Sequence, residues 1–300
     1  MQRLSKTILF ASSIVVSAAL ASYGQISGNL GTTTIPYGSA LSYQSIATGF
    51  GLAAGGNDSA GGSELDAAYG TVSGGNLYLF LAGNFENNGN HLNVFVDGGA
   101  PGQSVLAAPA TGTLQAMNGS KFSPGFQASW AFDMNDYAGT LYNEEYVYGG
   151  PATLLGGYVG SVAESSTGIG AGTPSGGSNP AYTSLAINNN NASTMSATPG
   201  APFSGPYATT GIELQIPLSV IGYTGGSIMV VADINGGGDT YLSNQFLPEL
   251  PAGYGNLGTA GFDFSSTPGQ YFTVAVPEPS TIGLVVIGLL GAVGLRRRSA

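Results

Sequence analysis

A glycine-rich loop late in the sequence carries oxygen-bearing side chains at spacings that calcium loops use. Asp233, Asn235 and Asp239 occupy positions 1, 3 and 7 of this loop, and Ca²⁺ prefers such oxygen ligands. Position 5 is Gly237 and position 12 is Asn244, so the pattern departs from a full calcium loop at both places. A polar turn between two strands is the simpler interpretation, and a calcium site at Asp233, Asn235 and Asp239 is the alternative.

The single histidine, His91, limits the catalytic chemistry that the chain can perform. Any Ser-His-Asp triad must use this residue, and no G-x-S-x-G motif accompanies it. Glu144 and Glu145 are adjacent, so on a strand they face opposite sides. Glu64 and Asp66 can share a face, as the two carboxylates of a glycosidase must. We expect no enzymatic activity and assign no catalytic residue, with Glu64, Asp66 and His91 as the starting points for a hydrolase alternative.

Trp130 is the only tryptophan, and it follows Phe126 on the same face of a predicted strand. Core packing is the expected role of Trp130, and stacking against a sugar ligand is the alternative. Asp133, Asn135 and Asp136 follow directly and form a second acidic cluster.

The elements that must position these residues are predicted to be short strands. Fifty glycines and a charged fraction of 7% favour many strands joined by tight turns over helices. Apolar runs of strand length recur across residues 41–276, which predicts an all-β fold, a single β-sandwich of the jelly-roll type. Residues 76–82 are apolar throughout and predict a central strand, and the turn at 87–90 predicts a hairpin with residues 91–97.

Two segments of this domain region have a different composition. Residues 22–40 are polar and small, which predicts a flexible lead-in. Residues 168–205 are rich in Gly, Ser, Pro and Asn, which predicts a long surface loop within the same domain.

Charge and cysteine content exclude several classes of function. Five of the six basic residues lie at the ends of the chain, namely Arg3, Lys6, Arg296, Arg297 and Arg298. Lys121 is the only cation between them, so the acidic domain should repel nucleic acid. The absence of cysteine rules out disulfides, zinc-thiolate sites and cysteine nucleophiles.

The N-terminus has the order of features of a secretory signal peptide. Arg3 and Lys6 precede an apolar stretch from Thr7 to Leu20, and Ala19-Leu20-Ala21 supplies small residues for cleavage. We therefore expect residues 1–21 to form a signal helix that directs the chain to the Sec machinery and signal peptidase.

The C-terminus combines a short motif, an apolar span and basic residues. Pro277-Glu278-Pro279 precedes the apolar stretch Ile282 to Leu295, and Arg296 to Arg298 follow. A helix over 282–295 would be about 21 Å long, shorter than the roughly 30 Å hydrocarbon core of a bilayer. The arginines should stay cytoplasmic, which places the motif on the outer face of the membrane. This length favours a removable transmembrane helix over a permanent anchor.

These residues resemble the PEP-CTERM sorting signal of Gram-negative bacteria. The resemblance covers about the last 25 residues. It implies that an exosortase, a membrane protease, recognises Pro277, Glu278 and Pro279, and that the chain passes through an inner-membrane intermediate to the cell surface or the extracellular space. It also makes exopolysaccharide a candidate partner.

The run Glu213 to Leu218, followed by the predicted strand Ser227 to Asp233, is similar to a strand, turn and strand of the carbohydrate-binding β-sandwiches of the DOMON and family 9 type. This resemblance implies glycan binding, yet the paired aromatic platforms of those folds are reduced here to Trp130. We therefore expect a structural or binding protein of the cell surface or exopolysaccharide matrix, with a carbohydrate-binding module and a secreted polysaccharide hydrolase as the alternatives.

Overall fold

Short β-strands form almost all of the regular structure that the computed structural model describes, in residues 25–46, 48–50, 62–107, 112–148, 154–190, 208–251, 255–259 and 261–277. The strands are β1 (Ser42–Tyr43), β2 (Glu64–Ser73), β3 (Asn76–Asn84), β4 (Asn88–Asp97), β5 (Trp130–Tyr137), β6 (Thr140–Tyr148), β7 (Leu154–Ala163), β8 (Ile169–Gly172), β9 (Ser175–Gly176), β10 (Ser184–Asn188), β11 (Gly211–Pro217), β12 (Ile228–Asn235), β13 (Tyr241–Leu247), β14 (Gly258–Thr259) and β15 (Phe272–Val274). The same residues include 3₁₀ turns at Thr113–Met117 and Gly237–Asp239.

The strands form two antiparallel sheets, which confirms the all-β prediction. One sheet has six strands in the order β1-β2-β3-β11-β10-β8. The other has nine, in the order β14-β13-β12-β4-β5-β6-β7-β9, with β15 paired to β12. The helices predicted at the two ends of the chain fall in residues 1–24 and 278–300, outside the described residues. Among the residues that are described, no helix has the length and apolar character needed to cross a bilayer.

The main hydrophobic core lies between the two sheets. Successive side chains of a strand point to opposite faces, so alternate residues of each strand enter this core. Leu77, Leu79 and Leu81 of β3 enter it from the six-stranded sheet, and Val94 of β4 and Trp130 of β5 enter from the other sheet. Each of these side chains is buried.

The central-strand prediction is confirmed, whereas the hairpin prediction is wrong. Every residue of β3 is buried, as its continuous apolar character indicated. However, β3 pairs with β2 and β11, while β4 pairs with β5 and β12 in the other sheet. The connection crosses between the sheets, and Asn189 holds it there through hydrogen bonds to the backbone N and O of Phe85.

A second core covers the outer face of the nine-stranded sheet. Phe95 of β4 points away from the main core and packs against Phe122 and Phe262, with ring centroids 5.1 and 6.3 Å apart. Those two phenylalanines come from loops that cross this face. These loops cover the apolar part of the face. The polar part of the same face lies beside the two 3₁₀ turns.

The described parts of two segments that were expected to be loops belong to the sandwich. Residues 168–190 of the expected surface loop contribute β8, β9 and β10, and Leu185 and Ile187 of β10 enter the main core, while residues 191–205 lie outside the described residues. Residues 25–40 of the expected flexible lead-in pack on the six-stranded sheet, where the buried Glu213 accepts hydrogen bonds from Ser27 N and Gly28 N. The average composition misled in both cases because a few apolar side chains, such as Leu185 and Tyr37, suffice to pack each segment on the sandwich.

Candidate functional site

Two rows of four polar residues cross the strands β12, β4, β5 and β6 on the outer face of the nine-stranded sheet. The strand register places the members of each row directly opposite one another. We call these eight residues the polar rows. The first row is Asn235, His91, Asn135 and Tyr142, and the second row is Asp233, Asn93, Asp133 and Glu144.

His91 lies near the middle of the polar rows and has a polar neighbour on each side of its ring. Its Nδ1 is 2.9 Å from Asp133 Oδ2, and its Nε2 is 3.1 Å from Asn135 Nδ2. Burial lowers the pKa of His91, but the charges of Asp133, Asp239 and Glu144 outweigh burial and raise this pKa to about 9. His91 therefore serves to orient Asp133 and to balance part of its charge.

Asp239 enters the cluster from the 3₁₀ turn that follows β12. Its Oδ1 accepts hydrogen bonds from Asn93 Nδ2 at 2.8 Å and Asn235 Nδ2 at 3.0 Å, while its Oδ2 lies 3.9 Å from His91 Nδ1. Gly238 and Asp239 have positive φ angles of 68° and 54°, which bend the chain back over the sheet. Glycine adopts this conformation freely and Asp tolerates it better than most residues, so the local sequence suits the turn.

The cluster holds more carboxyl groups than its basic groups can balance. Asp133, Asp233 and Asp239 are all buried, and His91 is the only basic side chain among them. Lys121, the only Lys or Arg in the described ranges, is instead paired with the exposed Asp263 at 2.8 Å. Burial accordingly raises the pKa of Asp233 to about 8 and raises the pKa of Asp239 as well.

The described residues include one group whose side chains are close enough to share a metal ion, and it belongs to this cluster. His91, Asp133 and Asp239 each offer a ligand atom, and these atoms lie within 4.8 Å of one another. The predicted residues Asn235 and Asp233 lie beside this group, so the structure brings Asp233, Asn235 and Asp239 together, as the loop pattern required. The sequence interpretation did not connect His91, Asn93 and Asp133 with them.

An open cavity of about 380 Å³ borders the same cluster on the side of β6. His91, Asp133 and Asn135 form its floor, and Tyr142 and Tyr158 are among the other lining residues. Tyr142 is 40% exposed, so an aromatic surface is accessible to a ligand in this cavity. Burial thus increases across the polar rows from β6 towards β12.

Trp130 lies in the main core and is fully buried. Its ring stacks on Phe132 with the centroids 6.0 Å apart, and its indole also interacts with the buried Glu145 carboxylate. This position leaves no surface on which a sugar could stack. The structural role expected for Trp130 therefore replaces the ligand-stacking alternative.

Glu144, Glu145 and Asp136 are the other acidic residues of β5 and β6 considered above. Glu144 and Glu145 face opposite sides, as predicted. Glu144 accepts a hydrogen bond from Thr113 N, and Glu145 accepts one from Thr183 N. Asp136 is buried on the opposite face of β5 from Asp133.

Glu64 and Asp66 hold neighbouring segments in place. Asp66 is fully buried and accepts a hydrogen bond from Ala208 N at 2.7 Å, and Glu64 interacts with the backbone of Thr48. Burial, and then the charge of Asp66, raises the pKa of Glu64 to about 8. Burial raises the pKa of Asp66 to about 6.

These shifts predict that stability falls as the pH rises. The pKa of Glu64 is higher in the folded than in the unfolded state. Its contribution to the free energy of unfolding is therefore complete below the unfolded pKa of 4.5 and is lost as the pH rises through about 8. We expect Glu64→Gln to reduce the loss of unfolding free energy between about pH 5 and about pH 8, measured by urea denaturation.

Asp263→Asn is the matched control for this measurement. Hydrogen bonds from Lys121 and Ser265 lower the pKa of Asp263 to about 2, so Asp263 stays ionised throughout the same interval. A Glu64→Gln variant that keeps the full pH dependence would contradict the assignment to Glu64.

The fold and the polar rows define an all-β sandwich protein with a buried, carboxylate-rich cluster. The family model of the PEP-CTERM protein-sorting motif matches residues 275–298, which confirms the resemblance seen at the C-terminus. This motif implies an exported protein that an exosortase, a membrane protease, sorts through a membrane-anchored intermediate to the cell surface. No curated protein and no solved structure matches the chain, so the DOMON and family 9 resemblance gains no support.

Proposed function

We propose that this chain is a non-catalytic structural or binding protein of the cell surface or exopolysaccharide matrix. The sorting motif at residues 275–298 is the observation that carries this proposal. The described domain is acidic, since Lys121 is its only Lys or Arg, and this charge favours solubility outside the cell.

The position of the last strand supports removal of the tail without damage to the domain. β15 ends at Val274, just before Pro277, and Phe272 and Val274 are buried in the main core. Cleavage near the Pro-Glu-Pro motif therefore leaves every described strand with its hydrogen-bonding partners. The acidic sandwich is then the molecule that acts outside the cell.

Deleting residues 277–300 is expected to abolish display at the cell surface. The domain should still be exported, because its predicted signal peptide is intact, and it should be recovered from the periplasm or medium. Surface immunolabelling and cell fractionation measure this result.

The point variant Glu278→Ala tests the motif itself, and Glu249→Ala is its control, because Glu249 is an exposed glutamate outside the motif. Unchanged surface display of both the deletion and Glu278→Ala would overturn the sorting proposal.

A neutral glycan is the ligand class that the open cavity favours. Tyr142 and Tyr158 offer aromatic faces beside Asn135 and Glu144, a combination that suits sugar rings and hydroxyl groups. On a glycan array, the full chain should bind neutral polysaccharides, and Tyr142→Ala should weaken that binding. Tyr137→Ala is the control, since Tyr137 is 57% exposed and is not among the cavity-lining residues. An array without hits, or equal losses in both variants, would count against glycan binding here.

A further inference from the structure

We propose that the buried cluster beneath the open cavity binds one divalent cation of the calcium type. Its ligands are carboxylate oxygens of Asp133 and Asp239, and the amide groups of Asn93 and Asn235 hold Asp239 in place. His91 is a positioning residue that holds the carboxylate of Asp133. This site goes beyond the sorting function, and neither depends on the other.

The first argument is geometric. Asp133 comes from β5, His91 from β4 and Asp239 from the 3₁₀ turn, and one oxygen of each carboxylate and a ring nitrogen of His91 lie within 4.8 Å of one another. Asn93 Nδ2 and Asn235 Nδ2 both donate to Asp239 Oδ1, at 2.8 and 3.0 Å. Five side chains from separate parts of the sequence therefore surround one small volume.

The second argument is the surplus of oxygen acceptors. Asp239 Oδ2, Asn93 Oδ1, Asn235 Oδ1 and Asp233 Oδ2 accept no hydrogen bond from the residues that the structure describes. All four side chains are fully buried. An unpaired buried polar atom is costly, and these four lie on side chains that contact one another. A cation satisfies several such acceptors at once.

The third argument is charge. Three buried carboxyl groups, those of Asp133, Asp233 and Asp239, share the cluster with the single imidazole of His91, whose Nδ1 lies 2.9 Å from Asp133 and 3.9 Å from Asp239. Buried charges in proteins are normally paired or coordinate a metal. A divalent cation supplies the positive charge that the described side chains do not.

The donor types select a hard cation. His91 Nδ1 faces the Asp133 carboxylate and Nε2 faces Asn135, so the atoms left for a metal are oxygens. Carboxylate and carbonyl oxygens suit Ca²⁺, Mg²⁺ and Mn²⁺, whereas imidazole suits Zn²⁺. Ca²⁺ accepts irregular sets of protein oxygens, whereas Mg²⁺ demands near-ideal octahedral geometry.

The test is calorimetric titration of Ca²⁺ and, separately, Zn²⁺ into the full chain after treatment with a chelator. We expect one Ca²⁺ per chain and a higher melting temperature with Ca²⁺ than with chelator. Failure of Ca²⁺ to bind or to raise the melting temperature would overturn the proposal. Tighter binding of Zn²⁺ than of Ca²⁺ would also overturn it, because it would make His91 a ligand.

Variants locate the site within the chain. Asp239→Asn removes one ligand charge while keeping a residue that tolerates the positive φ, and it should weaken Ca²⁺ binding at least about 100-fold. His91→Gln should weaken binding about 10- to 100-fold, as loss of a positioning partner does. Asp263→Asn, at an exposed carboxylate, should bind like the unmodified chain. Equal affinity of Asp239→Asn and the unmodified chain would place the cation elsewhere.

Asn235→Asp separates a cation site from a purely structural polar network. The added carboxylate should lower the melting temperature in chelator and increase the rise that Ca²⁺ produces, because a cation stabilises the additional charge. A purely structural network would show the lower melting temperature in chelator without a larger rise on adding Ca²⁺. That result would contradict the proposal even if Asp239→Asn failed to fold.

Discussion

Replacing Trp130 with alanine should lower the free energy of unfolding by about 3–5 kcal/mol, the range typical of a large aromatic side chain removed from a core. Trp130 is fully buried and stacks on Phe132 in the core that both sheets share. Its removal leaves a cavity between the sheets that close-packed neighbours fill only in part. Urea denaturation followed by far-UV circular dichroism measures the loss.

Trp130→Phe is the control for this experiment. Trp130→Phe loses the indole interaction with Glu145 but keeps most of the apolar volume. Because the volume is kept, its loss of unfolding free energy should be clearly smaller than that of Trp130→Ala. Trp130 is also the only tryptophan, so its fluorescence reports unfolding of the core in the unmodified chain. A small loss in Trp130→Ala would mean that the core is not packed around this residue as described.

The fold class could be predicted from the sequence because it depends on local patterns. Alternating and continuous apolar runs identify strands, and β3 is buried on both faces as its composition indicated. Strand partners are a long-range property that such patterns do not contain. The turn at residues 87–90 resembled a hairpin turn, yet the strands on either side of it belong to different sheets.

The candidate site illustrates the same limit. Asp233 and Asn235 were singled out because the glycine loop beside them resembles a calcium loop. Two other strands carry the same polar pattern at alternate positions, namely His91 with Asn93, and Asp133 with Asn135. On each strand the intervening residue is apolar and enters the main core, so the pattern was visible as a polar outer face.

Combining those three pairs required knowledge of the sheet order. The sequence does not state that β4 lies between β5 and β12, and this arrangement alone places all three pairs side by side. Asp239 completes the cluster through a turn whose path depends on Gly238. The residue types were therefore predictable, and their assembly into one buried cluster was not.

Replacing Glu213 with alanine should detach the N-terminal segment from the sandwich. Glu213 is fully buried on β11. Its carboxylate accepts hydrogen bonds from Ser27 N at 2.7 Å, Gly28 N at 3.0 Å, Thr33 Oγ1 at 2.7 Å and the Tyr37 hydroxyl at 3.1 Å. Burial and the Glu213 charge raise the pKa of Tyr37, which keeps this hydroxyl a donor.

Glu213→Ala should lower the free energy of unfolding by at least about 2 kcal/mol. Each hydrogen bond to a charged group contributes about 1.5–3 kcal/mol, and the freed donors can bond only to water in its place. Hydrogen exchange measures the effect directly: the amides of residues 25–40 should exchange much faster, while those of β4 and β5 should change little. Glu213→Gln is the matched variant, and it should give a smaller effect because one oxygen still accepts hydrogen bonds. Unchanged exchange of the amides of residues 25–40 in Glu213→Ala would contradict this prediction. It would show that apolar contacts suffice to hold the segment, such as that of Tyr37 with Phe80, whose ring centroids are 6.0 Å apart.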